Sequence, residues 1–396
     1  MKIYSKLKYC LALLAVMASA ACNDDIVTHE GGVDREAAEV RLSVGIQKMT
    51  AEYARNSRSA YPMPPEQENP MKSLAVIQFD SEGNMLRINK ENQSHQHFYY
   101  IDLTSENNPA GQITANIDVK LIAARNTRVC LVANMTEDAI MKLTWNAEQN
   151  RTNLWTEFRL KTVDIPYILN GEKVGHVEQV YMYGALEGDL NTNTEGKPVN
   201  LSISMARLIS RLEMNIKKEK GMVIPSQYRF FLGFTCVEDE AYLVPGAAKY
   251  IETLVHNHVA IIPNERTDII KSLGDGEAAV FYFYMAPHIV KDIKNITKFV
   301  IWCVDATDDD LARQPLLEDL DNDGHMEINP YYDGKYASIN MCNDPLLENP
   351  NVNGAMWLNR NSLYHVNITL QNKGTRSAGV AVLPGEYVID IAGMID

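Results

Sequence analysis

The sharpest candidate for chemistry in this sequence is an acidic run, DLDNDGHME, from Asp319 to Glu327. Asp319, Asp321 and Asp323 alternate, a glycine follows, and Glu327 comes at the ninth position, which fits the first part of a calcium-binding loop. Pro330 stands at the twelfth position, where such a loop has its bidentate glutamate, and no helices are predicted on either side. We therefore interpret the run as a solvated acidic loop, with a structural Ca²⁺ site as the alternative. No cofactor is required by either interpretation.

Other residues suited to catalysis or metal binding form no recognisable set. The pairs His256/His258 and His95/His97 have metal-like spacing but no third ligand nearby in the sequence. The chain has no HExxH, no GxSxG, no phosphate-binding glycine loop and no CxxC, so common hydrolase, zinc and redox motifs are missing. The sequence predicts a protein that is not an enzyme.

A secretory leader ends in a cysteine that is suited to lipidation. Residues 1–21 combine a lysine-bearing start with the short apolar core Leu11–Met17 and end in Ser19-Ala20-Ala21 before Cys22. The apolar run is shorter than the ~20 residues of a membrane span. Small residues before Cys22 resemble a bacterial lipobox, and the following Asn23-Asp24-Asp25 resembles an outer-membrane export tag. We expect a Gram-negative outer membrane lipoprotein precursor held to the lipid membrane through Cys22, with an ordinary cleavage site as the alternative.

The charge of the chain argues against one class of binding partner. The net charge of the 396-residue chain is −14, and lysines and arginines form no cluster, so we expect no nucleic-acid partner.

Cys130 and Cys303 lie in strand-like runs and are predicted to be small buried hydrophobic residues. Disulfide pairing among these two, Cys236 and Cys342 is left open.

The elements that would position such residues begin with the stretch Ala38–Arg58, AEVRLSVGIQKMTAEYARNSR. Four apolar residues alternate with polar ones, which predicts a strand half-buried on a core; they are Val40, Leu42, Val44 and Ile46. The stretch then becomes polar and carries Arg55 and Arg58 before a proline-rich segment. Such a segment is typically exposed and easily cut.

Short strand-like runs separated by turn signals continue to the C-terminus and favour β-sandwiches with little helix. Thr136 is expected to cap a helix through about Leu143. Val199–Lys217 is predicted to be one long strand with a bulge near Ala206–Ser210. Leu363–Leu370 is predicted to be a strand whose Tyr364 faces inward and His365 outward. A polar turn at Asp189–Lys197 places a domain boundary near residue 195, between domains at 59–195 and 196–396.

The order of these pieces resembles the fimbrillin family, the subunits of type V pili of anaerobic Gram-negative bacteria. The resemblance rests on the lipobox, the arginine loop and five further segments; these are SLAVIQFD-SEGNML, VCLVAN, VYMYG, MARLISRLEMNI and FYFYMAP. It also rests on LNRNSLYHVNITL, whose Asn359–Tyr364 looks like the family's N-R-N-x-x-Y strand entry.

The resemblance implies an all-β fold with minor α content, built as two tandem transthyretin-like Greek-key β-sandwich domains. It further implies that residues 22–58 form a lipidated propeptide, and that a trypsin-like protease cuts after Arg58, with Arg55 as the alternative. The released first strand would leave a groove for a strand from another fimbrial subunit, giving a cell-surface fimbrium.

The C-terminal segment 379–392 offers candidate donor strands around Pro384-Gly385, because its apolar residues again alternate; they are Val380, Val382, Tyr387, Ile389 and Ile391. The chain ends at Ile391–Asp396 without the aromatic expected of a stalk subunit, so a tip or accessory subunit is also considered. Further alternatives are a membrane-retained fimbrial anchor and a surface glycan-binding lipoprotein using aromatic residues such as Tyr331, Tyr332 and Trp357.

Overall fold

The computed structural model describes residues 36–48, 50–52, 70–92, 95–105, 111–165, 167–168, 176–177, 180–192, 197–237, 240–245, 258–261, 269–290, 298–305, 317–318, 327–328, 336–340, 356–358, 360–371 and 385–390. Within these ranges the chain is mostly β, as the sequence predicted. The two-domain division and the transthyretin-like topology stay predictions.

The largest sheet has seven strands in the order β4-β3-β6-β12-β13-β1-β5. All neighbours in it are antiparallel except β1 and β13. Its strands are β1 (Ala37–Ile46), β3 (Ser73–Phe79), β4 (Phe98–Asp102), β5 (Thr114–Ile122), β6 (Ala124–Ala133), β12 (Met182–Leu190) and β13 (Val199–Arg207).

Two further sheets are built mostly from the second half of the chain. The five-stranded sheet has the order β18-β14-β25-β2, with β26 also on β25, and the four-stranded sheet has the order β17-β15-β20-β23. The first is formed by β2 (Thr50–Glu52), β14 (Ser210–Lys218), β18 (Ala278–Met285), β25 (Ser362–Gln371) and β26 (Gly385–Asp390). The second is formed by β15 (Tyr228–Val237), β17 (His258–Ile261), β20 (Lys298–Asp305) and β23 (Tyr336–Asn340).

Short elements complete the described part of the chain. Two-stranded pairs are formed by β7 (Trp145–Asn146) with β8 (Arg151–Thr152), β9 (Thr162–Asp164) with β16 (Glu240–Tyr242), β10 (Tyr167–Ile168) with β11 (His176–Val177), β19 (His288–Val290) with β24 (Met356–Leu358), and β21 (Leu317–Glu318) with β22 (Glu327–Ile328). The helices are α1 (Glu137–Thr144) and α2 (Trp155–Phe158), with a helical turn at 269–272. Thr136 caps α1 through Ala139 N–H, as predicted.

The seven-stranded sheet curls so that its opposite ends meet. The Tyr99 hydroxyl on β4 lies 3.2 Å from the carbonyl oxygen of Lys120 on β5, although these strands are the two ends of the sheet. The buried Gln78 carboxamide on β3 donates to Ile122 O (2.7 Å) and accepts from Ile122 N–H (2.9 Å). The curl encloses one apolar core, to which β1, β3, β5, β6 and β13 contribute.

A second apolar core lies on the outer face of β3 and β6. It includes Ile140 of α1 and Phe158 of α2, and it is completed by Leu208, Ile209 and Leu243, which follow the first sheet in the chain. Tight packing also occurs between β12 and β13, where a Cβ on Gly184 would lie 2.7 Å from Ser204 O. Only glycine permits this approach without a shift of the backbone.

The prediction of one bulged strand over Val199–Lys217 was wrong. The chain forms β13 in the seven-stranded sheet and β14 in the five-stranded sheet, with Leu208 and Ile209 fully buried between them. The passage between sheets therefore follows Arg207, beyond the polar turn where the boundary was predicted. The outward orientation of His365 was also wrong, because its side chain is buried and Nδ1 lies 3.6 Å from Glu213 Oε1.

Candidate functional site

The candidate site is the groove that β1 fills in the seven-stranded sheet. Val40, Leu42 and Val44 are 1%, 0% and 3% exposed, whereas the residues between them face solvent, and Ile46 is half-buried against the same core. The side-chain period of two in a strand gives this pattern. A strand with one fully buried face is part of the core of its sheet rather than an appendage.

Both edges of β1 are hydrogen-bonded to neighbouring strands. It pairs antiparallel with β5 from Ala37 to Gly45 and parallel with β13 from Val40 to Ile46. The Gln47 N–H extends the second ladder by donating to Met205 O (2.7 Å). Withdrawing β1 would therefore expose two strand edges and the apolar floor between them, which is a template for another strand.

The solvent-facing side chains of β1 also contact β5. The Arg41 guanidinium donates to both carboxylate oxygens of Asp118 at 2.8 and 3.2 Å, which holds the pKa of Asp118 below its usual range. The Ser43 hydroxyl donates to Asn116 Oδ1 (2.9 Å). Exposed ion pairs contribute little to stability, so β1 is held mainly by its main chain and its apolar face.

Two buried side chains bind the main chain where β1 ends. Arg207 Nη1 donates to Gln47 O (3.0 Å), and Asn361 Nδ2 donates to Lys48 O (2.9 Å). Arg207 Nη1 also donates to Asn361 Oδ1 (3.2 Å), so the two side chains support each other. Each residue is 5% exposed. We call Arg207 and Asn361 the carbonyl clamp.

The clamp is positioned by the turn before β25. Asn361 has φ +52°, a left-handed conformation that asparagine tolerates better than most residues, and its N–H donates to Ile209 O (2.8 Å). Arg360 donates to Tyr242 O (2.7 Å) and Leu243 O (3.0 Å), and burial lowers the pKa of Arg360 to about 10. These bonds fix residues 360 and 361 against the connections that leave the first sheet.

Beyond the clamp, the same N-terminal segment joins the five-stranded sheet. Thr50–Glu52 of β2 runs parallel to Ser362–Tyr364 of β25. Further along β25, Gly385–Asp390 of β26 runs parallel to Val366–Gln371. Because β14 pairs with β25 over Leu363–Leu370 and occupies one edge, β2 and β26 share the opposite edge, one after the other.

Several residues singled out in the sequence lie outside the described residues. These are Cys22, Arg55, Arg58, Asp319, Asp321, Asp323, Val380, Val382 and Ile391. Glu327 opens β22, which pairs with β21 so that Glu318 stands opposite Glu327, and the acidic run thus joins two antiparallel strands. Tyr387 and Ile389 lie in β26, opposite Ile368 and Leu370 of β25. For the acidic run, the solvated loop stays the prediction and a structural Ca²⁺ site stays its alternative.

The carbonyl clamp was not predicted from the sequence. Asn361 was noted only as part of a family-like motif, and Arg207 only as part of an apolar segment. The signal was present in ARLIS, where an arginine stands among residues that all become buried or half-buried in the structure. A charged residue in such a position generally has a specific partner.

Few other described groups are arranged for chemistry. Cys130 is a free, fully buried thiol, as predicted, and burial raises the pKa of Cys130 to about 12, which suppresses the reactive thiolate. Among the described residues, no group of three or more His, Cys, Asp or Glu side chains could hold a metal ion. Within that same part of the chain, the helices are too short or too polar to cross a bilayer.

Several solved structures align with this chain at low sequence identity. The tip fimbrial protein Mfa3 from Porphyromonas gingivalis, solved with a C-terminal truncation, aligns with a TM-score of 0.48 and 12% identity over 83% of this chain and 94% of that chain. A candidate cell adhesion protein from Parabacteroides distasonis aligns with a TM-score of 0.46 and 14% identity over 89% of this chain and 94% of that chain. A fimbrial assembly protein from the same species aligns with a TM-score of 0.37 and 11% identity over 84% of this chain and 91% of that chain. No protein-family model and no curated protein matches the chain.

Proposed function

We propose that this chain is the precursor of a non-enzymatic fimbrial subunit that serves in cell adhesion at the bacterial surface. A trypsin-like protease cuts it after Arg58, with Arg55 as the second choice. The segment up to that residue then leaves, and a strand from another fimbrial subunit takes its place. The subunit is a stalk, tip or accessory component of the fimbrium.

The observation that carries this proposal is the position of β1 relative to the two arginines. The strand lies between β5 and β13 in the interior of the sheet, yet it is contributed by chain that precedes Arg55 and Arg58. One cut in the stretch between Glu52 and Pro70 would make an interior strand a separate peptide.

The energetics favour replacement of β1 over an empty groove. Burial of Val40, Leu42 and Val44 contributes roughly 1.5–3 kcal/mol each, and each ladder hydrogen bond adds about 1 kcal/mol net. An incoming strand with alternating apolar residues recovers both contributions. Strand addition of this kind obtains affinity from main-chain bonds and specificity from the side-chain pockets.

The donor strand is the C-terminal segment 379–392 of a neighbouring copy or related subunit. Its apolar residues alternate as those of β1 do, and the part described, β26, is already an extended strand at a sheet edge. A groove and a donor at different places on one subunit give a head-to-tail contact that does not close on itself. Contacts of that type build filaments.

The precursor reaches the surface as an outer membrane lipoprotein with lipid on Cys22. Lipidation and the cut are compatible, because Cys22 lies on the same side of Arg58 as β1 and would be released with it. The net charge of −14 opposes nucleic-acid binding. The partners of the mature subunit are therefore other subunits, and the precursor's partners are the protease and the membrane.

N-terminal sequencing of the protein from assembled surface fibres tests the proposal. We expect the sequence to start at Ser59, or at Asn56 if Arg55 is the residue used. A blocked N-terminus with lipid on Cys22 in the functional surface form would contradict the proposal and support a retained anchor or a glycan-binding lipoprotein.

A further inference from the structure

We infer that the carbonyl clamp, Arg207 and Asn361, is the part of the acceptor groove that holds the main chain of whichever strand fills it, including the incoming strand of a second copy. This inference rests on the proposed strand replacement and names the groups that the new strand must satisfy. The clamp thus acts first on the precursor's own segment and later on the neighbour's.

The location of the clamp supports this role. It lies where β1 leaves the curled sheet and the chain continues towards β25, so it contacts the only described residues between the two strands, Gln47 and Lys48. Any single strand that replaces β1 and continues to the edge of β25 passes the same point. The clamp therefore holds the main chain of the replacing strand at this point of the groove.

The chemistry of the clamp suits a partner of different sequence. Each of these two donors binds a main-chain carbonyl oxygen, which every residue supplies. Both donors are buried, and burial makes a donor without an acceptor more costly than the bond is favourable. Loss of the N-terminal segment therefore removes one carbonyl acceptor from each donor, and the main chain of an incoming strand can replace both.

The C-terminal segment of a second copy has a layout that meets this demand. Val380 and Val382 alternate before Pro384-Gly385, and Tyr387 and Ile389 alternate after it, just as residues 47–49 separate β1 from β2. A proline lacks an N–H but keeps its carbonyl, so the clamp can bind there. In addition, β26 runs parallel to β25, which is the direction of β2. We assign the Pro384-Gly385 junction of the second copy to the clamp.

Two substitutions remove the clamp with little change in shape. Asn361→Gly keeps the left-handed backbone, which glycine adopts freely, and deletes the carboxamide. Arg207→Met keeps an unbranched stem and deletes the guanidinium. The matched control is Asn134→Gly, because Asn134 is also buried, has φ +70° and bonds to Lys72 N, Pro70 O and Val180 O. Asn134 thus holds the chain on the other side of the proposed cut.

The experiment uses the full-length precursor, cut by an arginine-specific protease, with the N-terminal fragment followed by native mass spectrometry. The rate of fragment release is measured first, and the rate at which assembled fibres depolymerise in urea is measured second. We expect both clamp variants to increase both rates about tenfold, the effect of one or two hydrogen bonds. Asn134→Gly should change neither rate by more than about twofold.

Each result decides between the alternatives. Release at the wild-type rate in both clamp variants would overturn the role of the clamp in the precursor. Faster release combined with unchanged depolymerisation would overturn its role for the incoming strand. Failure of the cut wild-type protein to assemble would instead refute the proposed function, and it would be seen before any variant is compared.

Discussion

Two asparagines with left-handed backbones hold the two ends of the arginine-bearing segment. Asn361 binds Lys48 O before it, and Asn134 binds Pro70 O and Lys72 N–H after it. Both side chains are buried, so each bond is protected from competition by water. A cut at Arg55 or Arg58 would leave both attachments in place, and the segment would leave only when the contacts of β1 and β2 break.

At the scale of single residues, His97 should make stability depend on pH. Burial, reinforced by the positive charge of Arg87, lowers the pKa of His97 below its ordinary value of 6.5. The unfolded chain therefore takes up a proton before the folded chain does as the pH falls. Stability is greatest above about pH 6.5 and decreases as the pH falls from there through the folded pKa.

We expect His97→Gln to flatten this dependence. The free energy of unfolding in urea, measured between about pH 7 and pH 5.5, should decrease less in the variant than in the wild type. Carboxylates titrate in both proteins and cancel in the comparison, and at pH 8 the two curves should differ only by a constant. If the free energy of unfolding changed with pH at the same slope in the variant and the wild type, His97 would not contribute to the pH dependence of stability.

At the scale of elements, β1 should behave as core although it lies near the start of the chain. Leu42 is fully buried among Leu121, Ile203 and other residues of the inner core. Leu42→Ala should therefore lower the free energy of unfolding of the uncut protein by about 2–5 kcal/mol, the usual cost of a cavity in a core. Urea denaturation followed by far-UV circular dichroism measures it.

Ser43→Ala is the matched control on the opposite face of β1. Its hydroxyl makes an exposed hydrogen bond to Asn116, so the change should cost no more than about 0.5 kcal/mol. Equal losses of unfolding free energy in Leu42→Ala and Ser43→Ala would mean that the apolar face of β1 contributes no more to stability than its solvent-facing side. In that case burial of an apolar face would not favour an incoming strand over an empty groove.

Local sequence patterns predicted much of the secondary structure. The alternation in Val40–Val44, the apolar run Ser73–Phe79 and the Thr136 cap each depend on neighbouring residues only, and each is seen in the structure. The all-β class also followed from many short strands. These features are fixed by steric preference and burial within a few residues.

Long-range features could not be predicted in this way. The parallel pairings of β1 with β13 and of β2 with β25 join segments far apart in the chain, and no local pattern encodes such partners. Leu208 and Ile209 continue an apolar run, so no local pattern shows that the chain passes from one sheet to the next at these two residues. The partner of Arg207 could not be predicted for the same reason: although the arginine stands out in the apolar ARLIS, it meets Asn361 only after both sheets form.

At the scale of the whole molecule, the proposed function predicts a variant that is exported but cannot assemble. With Arg55→Ala and Arg58→Ala together, β1 should stay in its groove because the chain to it is uncut. The variant should be monomeric and carry lipid on Cys22. Electron microscopy of cells and size-exclusion chromatography of the extracted protein measure these outcomes.

The single substitutions separate the two arginines. Arg58→Ala alone should block assembly if Arg58 is the residue that is cut, whereas Arg55→Ala alone should then leave it unchanged. Arg58→Lys serves as a control, because a trypsin-like protease of broad specificity cuts after lysine and a strictly arginine-specific one does not. Normal fibres from the double variant would show that the cut is not the switch.

The parallel pairing of β1 with β13 also has a consequence for biosynthesis. Val40–Ile46 is translated long before Val199–Met205, the segment that forms one of its two edges. Throughout that interval an apolar, strand-forming stretch has no place in a finished sheet, which is the condition under which nascent chains aggregate. We therefore expect Val40–Ile46 to need shielding from other apolar segments until synthesis has passed Met205.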